Sequence, residues 1–256
     1  MKKIILLLLC STLSLTAHAA LKWNTAKSTH FIIYYVKADD AFLRSVVEYA
    51  EKYYEKIADR LGFRRYNFWL WDNRAQIYIH ENAIEYQKTT GQPHWSLGSA
   101  SPKEKIIHTF LQEEGFLDSI LPHELGHIIF REFVGFDNPA IPLWFEEGVA
   151  SYQEASKRAI ANEVVRQALK DGSFLNLEAL ARFDTKNIKD EKEVNIFYSE
   201  SISIVNYLIM KFGNDRFVLF CQYLRDKKNF QRALASSYPF ANIKELERNW
   251  IEDIKK

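Results

Sequence analysis

The chain has 256 residues and a formal net charge of +1 at pH 7. That length suits one compact unit, or a catalytic core with a small helical annex, better than two independent domains. With 47% apolar and 14% aromatic residues and no charge surplus, long disordered stretches are excluded, and there is no electrostatic case for nucleic acid or an anionic membrane surface.

The first 19 residues read as a secretory signal: Lys2-Lys3, an apolar run from Ile4 to Leu15, then the small-residue site Ala17-His18-Ala19 before Ala20. The apolar run is too short to cross about 30 Å of hydrocarbon as a helix. The expectation is a mature chain beginning near Ala20, exported to the periplasm or the medium, with no stable membrane insertion. Loss of Lys2 and Lys3 takes the formal charge to −1. Leu9 before Cys10 stands where a lipoprotein signal wants a small residue. Cys221 is then the sole cysteine, so no intramolecular disulfide forms, and its apolar surroundings from Phe217 to Leu224 predict a buried, inert thiol.

Thr29 to Val36, rich in β-branched and aromatic residues, predicts a strand. Asp39 and Asp40 open a helical pattern over Ala41 to Leu61, stopped by Gly62. A second strand is predicted over Ala75 to His80, a short helix or turn over Asn82 to Thr90, a loop from Gly91 to Pro102, and a third strand over Ile106 to Leu111. Beyond it the periodicity is helical: Ser119 to Phe133, Leu143 to Glu154, Asn162 to Leu169, Leu177 to Phe183, Phe197 to Phe212, Asp215 to Leu224, Phe230 to Ser236 and Ile243 to Ile254. Strands first and helices afterwards make the fold class α+β. The charged stretch Asp184 to Glu193 is the one candidate for a mobile excursion.

Within the first of those later helices, Pro122-His123-Glu124-Leu125-Gly126-His127 carries the spacing H-E-x-x-H. Two histidines four apart lie on one helix face and can both offer ring nitrogens to a zinc ion. Glu124, one position round, is placed to reach a water on the metal as a general base. Zinc acidifies such a water toward a pKa of about 7 and polarises a carbonyl. Pro122 suits a first helical turn, and Gly126 leaves one side bare for the close approach of another backbone. His30, His80, His94 and His108 lack ligand spacing and are expected to be structural.

Zinc in a catalytic site takes a third protein ligand and keeps one position open. The next helix offers two carboxylates in Leu143-Trp144-Phe145-Glu146-Glu147-Gly148-Val149-Ala150-Ser151-Tyr152, after a loop that lets it turn back on the first. Adjacent helical residues point about 100° apart, so Glu146 and Glu147 cannot both face the metal. Ser151, one turn beyond, is a candidate to orient a ligand histidine.

The His123-Glu124-x-x-His127 motif, followed after nineteen residues by a W-x-x-E-G-x-A-x-Y segment, resembles the gluzincins, in particular the small bacterial peptidase MA-like proteins. The resemblance takes in the Thr29-His30-Phe31 strand, the helix after it, and a later helix from Phe197 that ends at Lys211-Phe212-Gly213. It implies a zincin-like unit over residues 20–256, with a strand-rich part and the metal helix to about residue 135 and a helical part thereafter. It implies one zinc per chain held by His123, His127 and Glu147, selecting Glu147 over Glu146, with Glu124 as base and peptide or protein as substrate. It makes Tyr198 a candidate donor to the oxyanion of the tetrahedral intermediate, and sets the strand from Ile106 to Leu111 as the edge above the metal helix. Two other functions fit the ligand set: a noncatalytic zinc-binding scaffold of the cell envelope, which would have no use for Glu124, and a zinc hydrolase acting on a nonpeptide amide.

Overall fold

The computed structural model describes residues 22–64, 69–112, 115–183 and 190–256. The predicted signal and residues 184–189 of the charged stretch lie outside them; Glu191 to Glu193 form the first turn of a helix. The fold class is α+β, as the order of patterns requires.

Five strands form one sheet: β1 (Asn24–Lys27), β2 (Phe31–Tyr35), β3 (Ala75–His80), β4 (Gly98–Ser101) and β5 (Ile106–Phe110), in the order β1-β2-β3-β5-β4. The three central strands run parallel, and β1 and β4 close the edges antiparallel. This corrects the expected edge: Ile106 to Phe110 is an inner strand, and the edge is Gly98 to Ser101, which reads as loop in sequence. A Gly-Ser-Ala-Ser run has no β-branched residue to announce a strand; its pairing with β5 makes it one.

One face of the sheet, with Phe31, Ile33, Ala75, Ile77, Ile79 and Ile107, is buried. The first helix, α1 (Asp40–Leu61), joins this core through Leu43, Val46, Ala50 and Ile57. Asp39 caps it by accepting from the Phe42 amide at 2.8 Å, and Gly62 ends it at φ +74°. The short helix α2 (Ala83–Thr90) lies between β3 and β4 in the chain and packs on β3 and β5.

After one π-helical turn at Phe116–Ile120 comes α3 (Leu121–Val134), then α4 (Leu143–Ser151), α5 (Ala155–Asp171), α6 (Leu177–Leu180), α7 (Glu191–Phe212), α8 (Asn214–Lys227), α9 (Phe230–Ser237) and α10 (Ile243–Ile254). The buried apolar cluster is continuous from the sheet through α3 and α4 to α10. Cys221 lies in it, fully buried, and burial pushes its thiol pKa well up. No described helix is long and apolar enough to cross a membrane.

Two glycines set how closely α4 approaches its neighbours. A methyl group at Gly126 would sit 2.9 Å from the Ala150 Cα, so the bare side expected of Gly126 faces the backbone of α4. At Gly148 it would lie 2.5 Å from the Ser201 carbonyl oxygen and 2.9 Å from its carbon, so α4 and α7 touch backbone to side. Neither obstacle is a side chain that could rotate away. Gly148→Ala is therefore expected to destabilise the fold by about 1–3 kcal/mol, the range for overpacking, read as a drop in thermal midpoint; an unchanged midpoint would mean that the two helices are not held together there.

Candidate functional site

The π-helical turn delivers the chain into α3 with Pro122 in its first turn. Leu121, Leu125, Ile128 and Ile129 face the core, which leaves His123 and His127 together on the side facing α4. Their Nε2 atoms are 3.1 Å apart. From α4 a Glu147 carboxylate oxygen stands 3.5 Å from the His123 Nε2 and 3.8 Å from the His127 Nε2. A four-coordinate metal with bonds of about 2.0–2.2 Å holds its ligand atoms about 3.3–3.6 Å apart. The three separations bracket that spacing, one falling inside it and the others about 0.2 Å to either side, and two imidazole lone pairs this close need a shared cation or proton between them. These three residues could hold a metal ion, and the donor set of two imidazoles and one carboxylate fits zinc.

The far side of each imidazole is also occupied. Glu154 accepts from the His123 Nδ1 at 2.9 Å, and the Ser151 Oγ lies 3.2 Å from the same nitrogen. Glu154 is 1% exposed, sits at the joint between α4 and α5, and is further held by Ser119 and by Lys157 at 2.9 Å. Glu146 approaches the His127 Nδ1 at 3.6 Å and is gripped by Arg131, whose Nε donates at 2.7 Å. Arg131 also donates to the Asn138 carbonyl at 3.0 Å, so this pair ties α4 to the loop before it. Glu146 and Glu147 thus both reach His127 from opposite ring nitrogens. The sequence argument that only one of them can face the metal holds, but both serve the same histidine.

The electrostatics follow from this crowding of carboxylates. Burial works against charge on both histidines, yet Glu147 with Glu154 for His123, and Glu147 with Glu146 for His127, raise their pKa values. Burial also opposes ionisation of Glu146, but His127 and Arg131 hold its carboxyl down to about 2. Glu124 differs: it is 7% exposed, and burial pushes its pKa up against the pull of the two histidines. Strand β4 runs against it, because a methyl group at Gly98 would come 3.3 Å from the Glu124 Oε1 and 2.5 Å from an Ile120 methyl.

His123 and Glu124 floor a cavity of about 250 Å³. Tyr198, from α7, lines it half-buried, with the Lys157 ammonium 5.6 Å from its ring centre. Burial and the nearby carboxylates of Glu147, Glu124 and Glu154 raise its phenol pKa, so it stays protonated. His123, Glu124 and Tyr198 therefore line one cleft, and His127 and Glu147 converge on His123 beside it. The other histidines are elsewhere: His30 pairs with Glu51 at 2.6 Å, His80 with His108 at 3.1 Å, and His94 is exposed. Sequence reading missed Glu154 and Arg131. Their only signal was a carboxylate seven residues after Glu147 and a cation four after His127, neither of which stands out among surface charges.

No curated protein matches the sequence. Among solved structures the native LTA4 hydrolase of yeast superposes with a TM-score of 0.51 at 14% identity, over 89% of this chain and 38% of that one. At that identity the likeness shows a shared fold, and the chain spans little more than a third of the hydrolase. The sequence pattern of the peptidase MA superfamily matches residues 71–256, a span that takes in α3, α4 and α7 whole. The chain belongs to the peptidase MA superfamily.

Proposed function

We propose that this chain is an exported zinc metallopeptidase that hydrolyses peptide bonds with an activated water. Membership of the peptidase MA superfamily supports a metallopeptidase. The observation that carries the reading further is the convergence of the His123, His127 and Glu147 ligand atoms beside a cavity that also holds Glu124.

His123, His127 and Glu147 are the ligands, and the zinc they hold supplies Lewis acidity that polarises the scissile carbonyl and acidifies water. Glu124 takes the proton from the attacking water on its carboxylate and passes it to the departing amine nitrogen. Burial raises its pKa above that of an ordinary carboxylate, the direction that favours a base that must later act as an acid. Tyr198 keeps its hydroxyl proton and donates it as a hydrogen bond to the developing oxyanion. Glu154 and Ser151 fix the His123 ring through Nδ1, and the Glu146–Arg131 pair does the same for His127.

Because Glu154 is buried and shared by His123, Ser119 and Lys157, Glu154→Ala is expected to weaken zinc affinity by about 10–100-fold without removing a ligand. Competition with a chromophoric chelator measures this; wild-type affinity in the variant would remove Glu154 from the orienting role. The function itself is tested by elemental analysis and chelation of natively purified protein: one zinc per chain, with peptide hydrolysis lost on chelation and restored by zinc. A protein that neither carries nor takes up zinc would refute it.

A further inference from the structure

The walls of the cleft state what it takes in. Trp95 and Leu97 are large apolar side chains left 45% and 49% exposed, and both line the cavity floored by His123 and Glu124. They are not loose. Ser96 between them is buried, its Oγ 2.7 Å from the Tyr86 hydroxyl and donating to the Gly98 carbonyl at 2.9 Å. The Leu97 carbonyl accepts from the Thr109 hydroxyl at 2.9 Å and from the Gln112 amide at 3.1 Å. The backbone of this segment is anchored inward, so its two apolar side chains are presented outward into the cleft. Ile120, at the end of the π-helical turn and against Gly98, and Val194 of α7, one helical turn before Tyr198, complete the apolar lining.

We infer that this cavity is a specificity pocket for a large apolar side chain, aliphatic or aromatic, next to the bond that is cut. The inference rests on the peptidase reading and adds the substrate class. An acidic side chain would meet Glu124 and Glu154, and the one Lys or Arg among the described lining residues, Lys157, is already bound at 2.9 Å to both oxygens of Glu154. A basic side chain would have to shed its water against Trp95, Leu97, Ile120 and Val194. A small side chain would leave the four apolar walls wet.

The test uses blocked octapeptides of Gly, Ala and Ser carrying one variable residue: Leu, Phe, Ala, Lys or Asp. With zinc-loaded wild type, kcat/KM for cutting beside Leu or Phe is expected to exceed that for Ala by at least about tenfold, with Asp last. Zinc-loaded Glu124→Gln, expected to turn substrate over about 10²–10⁴-fold more slowly, is expected to bind the peptides in the same order by calorimetry. Trp95→Ala and Leu97→Ala remove only exposed side chains, so their thermal midpoints should hold while the Leu-to-Ala ratio shrinks by at least about threefold, a fraction of what one hydrophobic pocket contact discriminates. A wild-type ratio near one, or variants that keep the wild-type ratio, would overturn the pocket and leave the peptidase reading standing. If no peptide is cut, that reading fails, and the binding order on Glu124→Gln decides the pocket alone: Leu and Phe first supports it, no order overturns it.

Discussion

Glu124→Gln is expected to keep its zinc and lose about 10²–10⁴-fold in kcat, the contribution of a positioned general base. Glutamine has nearly the same shape, so the close fit against Gly98 is preserved and folding should not suffer. Its amide cannot take a proton at neutral pH, and that is the one property the reaction asks of position 124. Zinc content should not change, because the atoms that converge belong to His123, His127 and Glu147. Metal analysis and turnover on the same preparation separate the two effects. Equal turnover in the variant and the wild type would show that another group moves the proton.

The second large effect separates two adjacent carboxylates. Glu147→Gln is expected to lower zinc affinity by more than the about 10–100-fold that loss of an outer partner costs, because it removes the charge from the candidate ligand that faces both histidine Nε2 atoms. Glu146→Gln is expected to stay within that range. Its carboxylate is held by Arg131 and reaches His127 only through Nδ1, so a neutral side chain in its place weakens the orientation of the ring and leaves all three ligands. Both variants leave α4 intact, since neither position belongs to the apolar core. The reverse order, with Glu146→Gln losing zinc and Glu147→Gln keeping it, would exchange their roles.

Most of the candidate metal site could be proposed from sequence because it is local. H-E-x-x-H needs only a helix to put both histidines on one face, where the two Nε2 atoms lie 3.1 Å apart. The bare side of Gly126 correctly announced the approach of α4, now seen at Ala150. The choice of Glu147 over Glu146 rested on family resemblance, because a helical wheel says that two neighbours diverge and not which of them meets a partner helix. Glu154 was hidden for another reason. Periodicity carried the helix through it, whereas α4 ends at Ser151 and the chain turns there, and that turn is what swings Glu154 back to His123.

The strands show the same division. β3 was read to the residue because its core face repeats every second position: Ala75, Ile77 and Ile79. β1 and β4 went unread because edge strands with small or polar residues carry no such alternation; they are strands by virtue of their partners. The consequence for function is direct, since β4 runs against Glu124, and a side chain at its first residue, Gly98, would press on Ile120 and Glu124.

Incubating the zinc-loaded protein with a proteome-derived peptide library, and identifying the new termini by mass spectrometry, tests the central claim most directly. The expected result is a defined set of cleaved peptide bonds, absent with Glu124→Gln and absent after chelation. Zinc-replete wild type that cleaves no peptide bond in the library, or the same new termini from Glu124→Gln, would contradict it.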